Sequence, residues 1–179
     1  MRKVYVISAA STKYGKFPYT ARDLALLAAK EALDRIELSP KQIQGAFVSN
    51  AFSLSEKQGH LGPLIMSGLG IPDIPSSTIE SACSSGAAAF REASINIAAG
   101  IYDVMLVVGT ERVSHLDTIT ATTYFSYGSD YIFEGGYGAS FPELLSAICR
   151  VLLLPFLCTT FLKMFRIVDR VMVRRRCNC

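Results

Sequence analysis

Histidine is nearly absent from this chain. Two occur in 179 residues, His60 and His115, both in polar stretches. A histidine in such a loop is more often a surface residue than a base, so neither is assigned a role, and no metal site is predicted. Cysteine is almost as scarce through most of the length. Cys83 is the only one before position 149; Cys149, Cys158, Cys177 and Cys179 follow. That distribution excludes a disulfide framework, and the body reads as a reduced, cytoplasmic protein. Long apolar runs are missing too. The run from Val151 to Leu162 is bounded by Arg150 and Lys163 and interrupted by Pro155, well short of the ~20 residues a spanning helix needs. An amphipathic surface helix is the one membrane role left to it. Met1 to Ala10 is too short and too β-like for a signal peptide.

Half of the residues are hydrophobic, and the length suits one domain of ordinary size. The net charge of +3 hides an asymmetry: residues 1–149 hold 11 basic and 14 acidic side chains, residues 150–179 hold 7 and 1. The basic end has no fold motif for nucleic acid, and none is expected as a partner.

Val4 to Ser8 is β-branched and aromatic, which predicts a strand. Thr20 or Asp23 can cap a helix reaching about Arg35, with Leu24, Leu27, Ala28 and Ala32 at helical spacing. Ser39-Pro40 opens a short helical turn, Ala46 to Ser49 forms a second strand, and Ser53 to Gln58 is a polar loop. His60 to Leu69 reads as a helix interrupted at Gly62-Pro63. A third strand over Ser77 to Glu80 leads into a helix over Ser84 to Ala99, stopped by Gly100. Asp103 to Gly109 is a continuous apolar run, as in a central strand of a parallel sheet covered on both faces. This alternation predicts an α/β layered domain, helices packed on a mostly parallel sheet, with its site beyond the carboxyl ends of the strands. Residues 111–142, rich in Thr, Ser, Gly and Tyr, read as an excursion loop covering the sheet.

Cys83 falls where a strand gives way to a helix. A thiol at a helix N-terminus faces unpaired N–H groups and the positive end of the helix dipole, which favour the thiolate. Ser84, Ser85 and Gly86 leave room for a carbonyl to approach. Position alone leaves two readings open: a nucleophile, or a small buried hydrophobe, the commonest fate of a free cysteine.

Four stretches in order resemble the thiolase superfamily, most closely archaeal and sterol-carrier-like acetyl-CoA acetyltransferases. They are Ser11 to Phe17, the Gln-Gly segment Lys57 to Pro63, Glu80 to Arg91 around Cys83, and Tyr102 to Glu111. The resemblance covers 1–142 and implies a thiolase-like N-terminal domain. It implies that Cys83 takes an acyl group from acyl-CoA, with its backbone N–H in an oxyanion hole. A second acyl-CoA then condenses with it, or CoA cleaves a 3-ketoacyl-CoA in reverse. CoA thioesters are the substrates, and no permanently bound cofactor is implied. It further implies a homodimer or association with a paralogue, and, for archaeal members, a complex with HMG-CoA synthase feeding mevalonate synthesis. The family's Gly-His-Pro, Cys-x-Gly and Asn-containing motifs do not occur, so this chain is expected to be a weak catalyst or none. From Glu143 onward charge, cysteine use and apolar density all switch. Residues 143–179 are therefore expected to be a divergent tail, produced by a frameshift or truncation near Pro142. Two alternatives stand beside the thiolase reading: a β-ketoacyl-synthase-like condensing enzyme, and a non-catalytic remnant that associates with partner subunits.

Overall fold

The computed structural model describes residues 2–130, 132–134, 140, 142–143, 145–146 and 172–174. In chain order the elements are β1 (Tyr5–Ser8), α1 (Ala21–Asp34), β2 (Gly45–Ser49), α2 (Leu61–Gly68), β3 (Ser76–Ile79), α3 (Ser85–Ala99), β4 (Val104–Gly109), α4 (Thr118–Ser126) and β5 (Met172–Arg174). The strands form one sheet in the order β1-β5-β4-β2-β3. β2 runs parallel to both β3 and β4. β5 runs antiparallel to β1 and to β4.

The apolar run of β4 is thus central, as expected, but its two neighbours run in opposite senses. Alternation along the strand sends Val104, Leu106 and Val108 to one face and Met105 and Val107 to the other. On the first face, with Ala46 and Val48 of β2, they pack with α1 and α2 around Leu61, Ile65 and Met66. On the second they pack with Phe47 of β2 against Ala93 and Ile97 of α3. Helices therefore cover both faces of the sheet, which is the layered α/β arrangement.

The caps of α1 are cooperative. Thr20 Oγ1 accepts the Asp23 N–H at 3.2 Å, and Asp23 Oδ2 accepts the Thr20 N–H at 3.0 Å, so both candidate capping residues act in one box. Those hydrogen bonds, the backbone one first, hold the Asp23 carboxyl below its ordinary pKa. The buried stripe differs from the expected one. Ala21, Ala25, Ala29, Ala32 and Leu33 face the core, whereas Leu27 is exposed. Where α2 meets α1, at Leu26, the approach is close. A Cβ at Gly68 of α2 would stand 2.7 Å from Leu26 Cδ1.

α2 is not interrupted. Pro63 falls within its first turn, where the missing N–H has no intrahelical role. This turn lies against β3: the Gly62 N–H donates to Thr78 Oγ1 at 3.3 Å. α3 buries Ser85, Ala89, Ala93 and Ile97 at a spacing of four. It ends at Gly100, which is left-handed with φ 81°, and the Ile101 N–H returns to Asn96 O at 3.0 Å.

The chain divides into two compact units, 1–112 with 169–179, and 113–168. The second contains α4, which the reading of 111–142 as a loop did not foresee. Asp117 caps it by accepting the Thr120 N–H at 3.0 Å. This helix buries none of its own residues, so it left no core-facing apolar stripe in the sequence. Tyr124 and Tyr127 meet edge to face at 5.7 Å. Tyr131, Tyr137 and all of 143–179 except 143, 145–146 and 172–174 lie outside the described residues.

The seat of α3 supplies a test. Ala93 is fully buried between the helix and Met105. Ala93→Leu should overfill that contact and lower stability by about 1–3 kcal/mol, read as a fall in the thermal midpoint.

Candidate functional site

Three parallel strands end level. Ser49 of β2 is in register with Ile79 of β3 and with Gly109 of β4. Beyond that edge the Asn50 N–H reaches Ile79 O at 3.4 Å, and the Thr110 N–H reaches Ser49 O at 3.0 Å. Three loops leave the edge here: the one after β3 carries Cys83, and those after β2 and β4 together carry a cluster of charged and amide side chains.

Cys83 is a free, exposed thiol. The buried-hydrophobe alternative is therefore not what the structure shows. Nor is Cys83 inside the first turn of α3. It lies in a short 3-10 turn, Ala82–Ser84, and Ser84 occupies the N-cap of the helix. Ala82 is left-handed with φ 45°, an unusual conformation for a residue with a Cβ. Serines bind the turn together. The Ser84 hydroxyl donates to Ser81 O at 2.7 Å, and the two hydroxyls lie 2.8 Å apart. Ser85 is buried; its hydroxyl accepts the Ser81 N–H at 2.8 Å and donates to Ala82 O at 2.7 Å. The Ala82 N–H is taken by the Glu80 carboxylate, and the Ser84 N–H by Ser81 O. No described residue accepts the Cys83 N–H. Cys83 is thus exposed, and its backbone donor has no acceptor among the described residues.

The cluster is built around Glu111, which follows β4 and gathers donors from the loop after β2. Its carboxylate accepts the N–H groups of Ala51 at 2.9 Å and Phe52 at 3.1 Å, and the Asn50 amide at 3.3 Å. Glu111 keeps an exposed rim, but the surrounding chain displaces much of its water. That desolvation pushes its pKa above the ordinary value, while the N–H groups of Ala51, Phe52 and Arg112 and the Asn50 amide pull it down. Asn50 is buried. It also donates to Thr110 O at 2.7 Å, and its own Oδ1 has no partner among the described residues. Glu56 completes the cluster. It pairs with Arg112 at 2.9 Å, both side chains largely buried, and caps α1 by accepting the Ala21 N–H at 2.9 Å. The Thr110 hydroxyl ties the same helix end by donating to Ala21 O at 2.6 Å.

Sequence reasoning singled out Cys83, noted Ser85 only for its small size, and missed Asn50, Glu56 and Arg112. Glu111 was included only as the end of a strand-and-turn motif. The available signal was the place of Asn50 and Glu111, each at the first polar positions after a β-run. His60 stands exposed at the N-cap of α2 with φ 53°, and His115 belongs to the second unit. Among the described residues, no three of His, Cys, Asp or Glu are grouped to hold a metal. No helix among them is long and apolar enough to cross a membrane.

Residues 4–134 match the N-terminal domain that defines the thiolase family. The acetyl-CoA acetyltransferase of Methanocaldococcus jannaschii is 35% identical over 152 residues, covering 84% of this chain and 38% of that protein. The enzyme of the same name from Methanothermobacter thermautotrophicus is 30% identical, covering 84% and 39%. This chain thus spans about two fifths of the length of these curated relatives. Among solved structures, the acetyl-CoA acetyltransferase of Syntrophomonas wolfei superposes with a TM-score of 0.54 at 28% identity, over 59% of this chain and 28% of that one. The 3-oxoacyl-[acyl-carrier-protein] synthase III of Aquifex aeolicus gives 0.52 at 26%, over 58% and 35%.

Two measurements test the cluster. Glu56→Ala leaves the Arg112 charge unpaired and the Ala21 N–H without its acceptor, and should cost about 3 kcal/mol in denaturant unfolding. Because the folded pKa of Glu111 is raised, its contribution is fully present below the ordinary value of 4.5 and is lost as pH rises through the folded value. The stability of the wild type relative to Glu111→Gln should therefore fall as pH rises across that window. A difference independent of pH would contradict the desolvated carboxylate.

Proposed function

Because this chain belongs to the thiolase family, we propose that Cys83 accepts an acyl group from an acyl-CoA thioester. The observation that carries the reading is the exposed thiol whose own N–H has no described partner, on a turn at the carboxyl edge of the sheet.

The chemistry follows from that geometry. The Cys83 sulfur, as thiolate, attacks the thioester carbonyl carbon, and the C=O electron pair moves onto oxygen. The Cys83 N–H is placed to donate to that oxygen, where charge develops. Collapse of the tetrahedral adduct breaks the bond to CoA. The CoA thiolate leaves and takes up the proton that Cys83 gave up. The product is a Cys83 thioester, which keeps its carbonyl reactive and divides one difficult transfer into two. A second acyl-CoA, deprotonated at its α-carbon, then forms a carbon–carbon bond to the acyl group and releases Cys83, giving a 3-ketoacyl-CoA; thiolysis by CoA is the reverse. Deprotonation of the second substrate needs a base, and neither histidine is assigned to it. We further propose the cytoplasm as the compartment, and association with a second copy or with a paralogue. The name of the Aquifex relative raises acyl-carrier thioesters as an alternative donor; the archaeal relatives favour CoA.

Incubation with acetyl-CoA followed by intact mass spectrometry should show the addition of one acetyl group, absent in Cys83→Ala and removed by hydroxylamine. An adduct that persists in Cys83→Ala, or loading from acyl-carrier protein alone, would overturn the assignment.

A further inference from the structure

Ser85 is buried at the start of α3, yet its hydroxyl does not cap the helix. It turns back instead to the Cys83 turn, where it accepts from Ser81 and donates to the Ala82 carbonyl. The Ser85 backbone N–H donates to the same carbonyl. The Ala82 oxygen is therefore held twice by one residue. This matters because the Ala82 C=O and the Cys83 N–H belong to one peptide unit. The chain has no cis peptide among its described residues, and a trans peptide is planar with its C=O and N–H pointing in opposite directions. Anchoring the carbonyl on the Ser85 side aims the Cys83 N–H the other way.

The anchor also works against a local cost. Ala82 is left-handed at φ 45°, which disfavours any residue with a Cβ by roughly 1–2 kcal/mol. Without a restraint, the Ala82–Cys83 peptide would be free to rotate toward the right-handed region and carry the Cys83 N–H with it. The two Ser85 contacts and the clasp between Ser81 and Ser84 oppose that rotation.

We propose that Ser85 is a positioning residue, whose buried hydroxyl fixes the Ala82–Cys83 peptide so that the Cys83 N–H is aimed at the oxyanion of the acyl-transfer step. The inference rests on Cys83 as the acyl acceptor. Ser85 itself touches neither substrate nor the reacting atoms. Its effect should appear in reactions that build an oxyanion and be absent from those that do not. Alkylation by iodoacetamide uses the same sulfur but passes through no tetrahedral oxyanion.

The test compares two rates at Cys83 by mass spectrometry of the peptide that carries it, acylation by acetyl-CoA and alkylation by iodoacetamide. They are measured in the wild type, Ser85→Ala, Ala82→Gly and Ala82→Gly/Ser85→Ala. Ser85→Ala should slow acylation by at least about tenfold and leave alkylation within about twofold. Glycine adopts a left-handed φ without the Cβ penalty, so the double variant should recover most of the lost acylation. Thermal melts verify that each variant is folded. Equal loss of both rates, unchanged acylation in Ser85→Ala, or no recovery in the double variant would overturn the role of Ser85. A wild type that alkylates but takes no acetyl group would instead remove the acyl-acceptor reading on which this role depends.

Discussion

Strands that stop at the same level leave their last backbone groups without a neighbour in the sheet. Here the ends of β2, β3 and β4 are aligned through Ser49, Ile79 and Gly109. A partly buried edge of this kind must find partners for its N–H and C=O groups. Much of what surrounds the site answers that need. Asn50 bridges to Ile79 with its backbone and to Thr110 with its amide. Glu111 collects the next two N–H groups of the chain leaving β2. Glu56 and Thr110 extend the same network to the start of α1. One set of polar contacts thereby fixes the sheet edge and the helix resting on it.

The loop after β3 meets the same requirement differently. Its donors other than the Cys83 N–H are satisfied within six residues, by Glu80, Ser81, Ala82 and Ser85. Within that local closure Ala82 is left-handed, and the Cys83 N–H has no partner among the described residues. Strain of this sort persists where the neighbouring contacts over-determine the backbone. A cysteine in the helix interior would donate its N–H to the carbonyl four residues back. On the 3-10 turn before the N-cap, the sulfur is exposed and the N–H has no partner among the described residues.

Most of the elements were legible because their signals are local. Thr20 and Asp23 each carry a capping signature and prove to be halves of one box. The run through Val104 to Gly109 announced a strand covered on both faces, and Met105 and Leu106 do face opposite layers. Where local reading failed, distant chain supplied the missing information. Leu27 fits a helical apolar stripe as well as Ala25 does, yet the folded chain buries Ala25 and exposes Leu27. α4 went unseen because it buries no face of its own, and a helix without a buried stripe has no periodicity to detect.

Sequence by itself determined the chemistry on offer: one cysteine in the body, small residues after it, and a strand-to-helix junction to hold it. Those follow from residue type and from neighbours within a few positions. It also determined the layered class, because alternation and helical spacing are properties of short windows. Tertiary structure alone decided that β5 enters the sheet between β1 and β4, since strand order depends on pairing between segments far apart in the chain. It decided too that Glu111, Asn50 and Glu56 form one network, and that the Cys83 amide finds no partner among the described residues. A hydrogen bond is set by distance and direction in space, and no sequence spacing records either.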